Sequence, residues 1–202
     1  MVLPVARILA WIISSYLLGS VPVGLLLSRL KGRDPRSVGS GNIGATNVMR
    51  AAGSTLGLLT LLGDILKGFL PAWLALHFGQ PEEVVAGAGL AAFAGHLFPL
   101  YLRFKGGKGV ATALGVFLAL CPPAVFMVLP VFAAALFLWG YVSLGSLVGA
   151  ALMPLAFLGL NAPLGSVLTS AIMAVLIFVR HRENIKRLMS GREHRILRKP
   201  RP

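Results

Sequence analysis

The segment Val38–Arg50, VGSGNIGATNVMR, sets glycine among hydrogen-bond donors. Gly39, Gly41 and Gly44 spell G-x-G-x-x-G, and Asp64 lies twenty residues beyond Gly44, the spacing of a dinucleotide-binding turn. The same residues fit a simpler chemistry. Glycine permits close approach of the backbone, and the N–H groups that open a helix attract anions with help from the helix dipole. Gly39–Gly44 lead into Ala45, where a helix can start. Ser40, Asn42, Thr46 and Asn47 add neutral donors, and Arg50 adds a fork suited to phosphate. A second segment, KGGKGVAT from Lys105 to Thr112, repeats the recipe with two glycine-spaced lysines ahead of a helix start. It is not a Walker A loop, because no glycine sits five residues before Gly107. A third, RHRENIKRLMSGREHR from Arg180 to Arg195, places His181 and Asn184 one turn apart on one helical face. In YVSLGS, Tyr141 to Ser146, Ser143 is a further candidate donor.

The elements that must position these segments follow from composition. Of 202 residues, 56% are hydrophobic and only 12% charged, about half of the roughly 25% in soluble domains. The chain reads as one all-α, multi-pass integral membrane domain over 1–202. The first apolar stretch, Val2–Ser28, exceeds the ~7–15 residues of a signal-peptide core and reads as a retained first helix. A single cysteine, Cys121, allows no internal disulfide and no cysteine metal cluster. Apolar segments run over 2–28, 55–76, 84–101, 110–121, 124–139, 142–160 and 164–179. Pro122-Pro123 separates the fourth from the fifth, because proline breaks a helix interior.

The net charge of +13 would suggest nucleic acid in a soluble protein, but its placement fits the positive-inside rule instead. Seventeen of the nineteen basic residues fall in 29–50, in 103–108 and in the tail from Arg180, whereas 77–83 holds Glu82 and Glu83. Placing all three basic segments in the cytoplasm requires an even number of crossings between the second and the third. The expectation is therefore seven transmembrane helices, N-terminus outside and C-terminus cytoplasmic, with the glycine segments at the cytoplasmic face and a basic tail from about 194. Within this frame the first glycine motif follows a membrane helix rather than a strand, and Asp64 falls inside a span, so dinucleotide binding drops out. Asp64 and Lys67, three residues apart, can pair. A structural role is expected for both and for His96, near the end of the third span.

The chain has six acids and no D-x-x-D cluster, which argues against a magnesium-dependent phosphotransferase. No serine has a G-x-S-x-G setting and no histidine an H-x4-D pattern. A site rich in anion binders and poor in bases suits substrates that bring their own reactivity. An acyl phosphate is such a substrate; cradling its phosphate and orienting an alcohol against its carbonyl can supply ~7–11 kcal/mol of the barrier. An organic-phosphate transporter is the alternative, although transporters place such sites near the midplane on broken helices.

Three motifs carry a resemblance. Ser40–Arg50 fits S-G-N-x-G-A-T-N-x-x-R, Lys105–Thr112 fits K-G-G-K-G-x-A-T, and His181–Glu193 fits H-R-E-N-I-x-R-L-x-x-G-x-E. In these motifs and in the spacing of its spans the chain resembles the bacterial membrane-integral acyl-phosphate:glycerol-3-phosphate acyltransferases, the PlsY family. The resemblance implies transfer of a fatty acyl group from acyl phosphate to the 1-hydroxyl of sn-glycerol 3-phosphate, giving lysophosphatidic acid and phosphate. It implies no cofactor, no metal and no nucleic acid, with membrane lipids around the chain and a monomer as the simplest assembly. By motif match, Ser40, Gly41, Asn42, Gly44, Ala45, Thr46 and Asn47 would hold acyl phosphate. Arg50, Lys108, Ser143, His181 and Asn184 would hold glycerol 3-phosphate. No protein base is implied, and a substrate phosphate oxygen would take the hydroxyl proton.

Overall fold

The structure, a computed structural model, describes residues 4–196. Arg198, Lys199 and Arg201 of the expected basic tail lie outside the described residues. Among the described residues there are α-helices and short 3-10 turns and no β-strand. The chain forms two compact units, Met1–Leu120 and Cys121–Pro202.

The first unit holds α1 (Val5–Gly19), α2 (Val23–Arg29), α3 (Ala45–Ala52), α4 (Ser54–His77), α5 (Glu82–Leu97) and α6 (Val110–Leu120). The first apolar stretch is thus two helices and not the single helix expected. Pro22 cannot donate to the helix ladder, and the chain breaks over Ser20–Pro22. The break leaves backbone carbonyls without helical partners inside an apolar run, and Lys67 Nζ donates to one of them, Val21 O, at 2.8 Å. Small residues let the helices of this unit touch through their backbones, as membrane helices do in place of a hydrophobic drive. A Cβ at Gly115 of α6 would overlap the Ile65 carbonyl of α4, and one at Gly95 of α5 would overlap the Tyr16 carbonyl of α1. Ala72, Ala75, Val85, Ala88 and Ala119 fill the seam among α4, α5 and α6.

The second unit holds α7 (Pro122–Trp139), α8 (Val142–Gly159), α9 (Leu164–Arg180) and α10 (Arg182–Met189). α7 packs on α8, and α8 on α9. The proline pair divides the helices as expected: Pro122 and Pro123 occupy the first turn of α7, where a missing N–H costs nothing. α9 and α10 meet at His181 with a bend of 59°.

Among the described residues, five helical stretches are long and apolar enough to cross a membrane, Val5–Arg29, Ser54–His77, Glu82–Leu102, Pro122–Trp139 and Val142–Gly159, and a sixth if α9 and α10 are taken as one bent span. α6 is shorter, with 11 residues. Its ~16 Å at about 1.5 Å per residue is roughly half the hydrocarbon thickness.

Candidate active site

The first glycine segment is a loop tied down from within. Asp34 opens a 3-10 turn over Pro35–Ser37, its carboxylate accepting the Arg36 N–H at 2.9 Å. The Arg36 guanidinium closes on the same carboxylate, and its hydrogen bonds hold the Asp34 carboxyl down at about 2. Arg36 is thus paired with an acid at the surface. Gly39 (φ 56°) and Gly41 (φ 67°) then turn the chain through left-handed conformations that favour glycine. Asn47, buried on α3, reaches back under the loop: its Oδ1 accepts the Ser40 N–H at 3.1 Å, and its Nδ2 donates to Pro35 O at 2.6 Å and Asn42 O at 2.8 Å. Both Nδ2 protons are thus spent on the loop. Asn47 is brought to the segment as expected, but as its internal brace. α3 opens at Gly44 without a side-chain cap, and Ser40, Asn42, Gly44, Ala45 and Thr46 remain at least partly accessible. Arg50 is exposed on the last turn of α3, its stem beside the Gly39 turn.

The second glycine segment lies in the same unit. After a 3-10 turn over Leu100–Leu102, Arg103 (φ 51°) and Phe104 (φ 62°) both take left-handed conformations that non-glycine residues seldom adopt. Gly107 and Gly109 are buried, Lys108 is half-buried, and Lys105 is exposed, so the two lysines differ in setting. The Gly107 N–H donates to His96 O at 3.1 Å, which ties the segment to the end of α5.

In the second unit the chain folds back after α10 so that one carboxylate gathers three donors. Glu193 Oε1 accepts from Ser143 Oγ at 2.9 Å and from Asn184 Nδ2 at 2.6 Å, and Oε2 accepts from Arg187 Nε at 2.8 Å. Burial pushes the Glu193 carboxyl up, but the hydrogen bonds from Arg187, Asn184 and Ser143 and the Arg187 charge outweigh it, so the group sits below its ordinary value. Ser143 and Asn184 are brought together as sequence reasoning expected. Glu193 was the residue it missed; the available signal was an acid inside the third motif of a chain nearly devoid of acids. One expectation changes. Ser143 gives its single proton to Glu193, so it faces a ligand as an acceptor and not as a donor. Arg187 is turned inward to Glu193, because a buried carboxylate needs a charged partner. His181 is buried at the bend, with Nδ1 2.8 Å from Ile177 O. A carbonyl can only accept, so Nδ1 carries the proton and Nε2 is the acceptor of the neutral ring. Nor does the chain come free at 194: Arg195 stacks on Tyr141, 5.3 Å from the ring centroid, and the Ile196 N–H donates to Gly140 O at 2.9 Å.

The first unit thus presents a braced glycine loop and an exposed Arg50, and the second a polar cluster gathered on Glu193. The apolar helices define a membrane-embedded helical protein. The chain belongs to the glycerol-3-phosphate acyltransferase family, whose profile matches residues 9–191. The glycerol-3-phosphate acyltransferase of Trichlorobacter lovleyi is 54% identical over 186 residues, covering 92% of this chain and 95% of that one. That of Geotalea daltonii is 52% identical, covering 91% and 94%. Among solved structures, PlsY (YgiH), an integral membrane glycerol 3-phosphate acyltransferase in its glycerol 3-phosphate form, matches with a TM-score of 0.91 and 42% identity, covering 95% of this chain and 96% of that one. The lysophosphatidic acid form matches with a TM-score of 0.87 and 40% identity, covering 94% and 95%.

Proposed function

We propose that this enzyme transfers a fatty acyl group from acyl phosphate to the 1-hydroxyl of sn-glycerol 3-phosphate, releasing lysophosphatidic acid and inorganic phosphate. Acylation of glycerol 3-phosphate follows from the family; acyl phosphate as donor is carried by one observation, the braced glycine loop over 39–44 that opens into the uncapped helix α3. The N–H groups of Ser40 and Gly41 are engaged inside the loop, so it is the N–H groups opening the uncapped helix α3 that would receive the phosphate. In the proposed reaction the 1-hydroxyl oxygen bonds to the acyl carbon, the acyl carbon–oxygen bond to phosphate breaks, and the hydroxyl proton passes to a phosphate oxygen. Ser40, Gly41, Asn42, Gly44, Ala45 and Thr46 line the acyl-phosphate loop, with Asn47 as its brace. Arg50 and Lys108 hold the phosphate of glycerol 3-phosphate; Ser143, His181 and Asn184 hold its hydroxyl end, where Ser143 can only accept.

The positive-inside pattern supports a seven-crossing arrangement in the inner membrane, with both glycine segments cytoplasmic. The short α6 fits it only if non-helical chain is shielded by protein, and Gly107 and Gly109 are buried just before it. The deciding assay is purified protein in detergent with palmitoyl phosphate and labelled glycerol 3-phosphate, with EDTA present. Labelled lysophosphatidic acid is expected. Product from palmitoyl-CoA but not from palmitoyl phosphate would overturn the donor assignment, and activity restored only by magnesium would overturn the metal-free reading.

A further inference from the structure

Asp64, Lys67 and His96 form a buried ionisable cluster that the reaction above does not use. Lys67 Nζ lies 2.8 Å from Asp64 Oδ1, and His96 Nδ1 lies 3.6 Å from the same oxygen; all three side chains are at most 5% exposed. Charged groups inside a membrane domain are expensive and are retained where they do something. This cluster reaches in two directions. Through Lys67 it holds the Val21 carbonyl at the break between α1 and α2. Through His96 it reaches the second glycine segment. The His96 carbonyl accepts the Gly107 N–H, and a Cβ at Gly107 would overlap Nε2 of the His96 ring. A Cβ at Gly106 would overlap the His96 carbonyl instead. The segment is thus laid against both the ring and the backbone of His96, and Lys108 is its next residue.

We infer that Asp64 and Lys67 fix the His96 ring and that His96, as a positioning residue, sets the height of Gly107 and so the reach of Lys108 toward the phosphate of glycerol 3-phosphate. The inference rests on the reading that Lys108 binds that phosphate. The two ring nitrogens have separate duties: Nδ1 faces Asp64, and Nε2 bounds the space beneath Gly107. A displaced Gly107 moves the lysine beside it by a fraction of an ångström or more, enough to weaken a charged hydrogen bond while leaving the acyl-phosphate loop, held by Asn47, in place.

The test is steady-state kinetics on the full-length protein in detergent, with thermal denaturation alongside. His96→Ala is expected to raise KM for glycerol 3-phosphate at least tenfold and to change KM for palmitoyl phosphate less than twofold. Gly107→Ala is expected to do the same. In the His96→Ala background the added methyl has room, so Gly107→Ala should cost less than threefold more; such non-additivity is the signature of direct coupling. His96→Gln, whose amide reaches the position of Nε2, should keep KM for glycerol 3-phosphate closer to the parent than His96→Asn, whose amide reaches only that of Nδ1. Additive effects of His96→Ala and Gly107→Ala overturn the proposal, as do equal KM values for the Gln and Asn variants or parallel rises in both substrates' KM with a fall in melting temperature. The Gln and Asn pair decides the matter should His96→Ala fail to fold. A folded Lys108→Ala with unchanged KM for glycerol 3-phosphate would instead strike the reading of the site, so the two failures are distinguishable.

Discussion

Ser143 and Asn184 meet the same carboxylate oxygen, and this fixes what each can offer a ligand. The sequence placed both near Arg50 and Lys108 in kind, as polar groups for one substrate, but an isolated acid among basic residues reads as surface charge and gives no hint of what it gathers. Glu193 was passed over for that reason despite its place in the third motif, and the inward turn of Arg187 with it. The sign of its titration follows from the structure. Glu193 has a lower pKa folded than unfolded, so the unfolded chain binds more protons and stability rises with pH through that window. Its contribution is complete above the ordinary carboxyl value of 4.5 and disappears as pH falls through the lower folded value. Glu193→Gln should therefore melt below the parent at pH 7, and the gap should narrow as the pH falls below 4.5; a gap constant with pH would show that the carboxylate charge is not what holds the cluster. The two cations assigned to the substrate phosphate behave differently. Arg50→Ala or Lys108→Ala should lower kcat/KM for glycerol 3-phosphate by roughly tenfold to about 150-fold, since a charged hydrogen bond is worth about 1.5–3 kcal/mol. Arg50→Lys should recover only part, because lysine lacks the planar fork. A folded variant with parental kinetics would remove that residue from the site.

At the level of elements, punctuation was legible and packing was not. Pro122-Pro123 marked the start of α7, and the glycine segments marked the starts of α3 and α6, because those residues act locally. The break at Pro22 passed unread inside a long apolar run, since proline in a membrane helix is often tolerated. Which glycines serve contact and which serve nothing was equally hidden, because a helix-interior glycine looks the same in either role. Gly115 and Gly159 separate the cases: a Cβ at Gly115 would overlap the α4 backbone, whereas one at Gly159 would meet nothing within 4 Å. Overpacking typically costs about 1–3 kcal/mol. Gly115→Ala should lower the melting temperature by several degrees and Gly159→Ala should leave it unchanged or slightly raised. Equal behaviour of the two variants, followed by scanning fluorimetry in one detergent, would mean that α6 and α4 are not in backbone contact.

For the whole molecule, composition reached the class, and charge supplies the orientation proposed above, but helix lengths do not by themselves count the crossings: among the described residues five stretches suffice in length, a bent pair makes a sixth, and α6 falls short. The proposed topology is open to accessibility labelling in a Cys121→Ala background. Cysteines introduced at 33 and 105 should react only from the cytoplasm and one at 123 only from outside; labelling of position 123 from the cytoplasm would exclude seven crossings. The broken first span has a bearing on biogenesis as well. The Val21 carbonyl is quenched by a lysine 46 positions later in the chain. At roughly 5–20 residues per second a ribosome delivers that lysine about 2–9 s after the valine. For that interval the Val21 carbonyl lacks its side-chain donor, while the break itself, set by Pro22, is already written into the first segment.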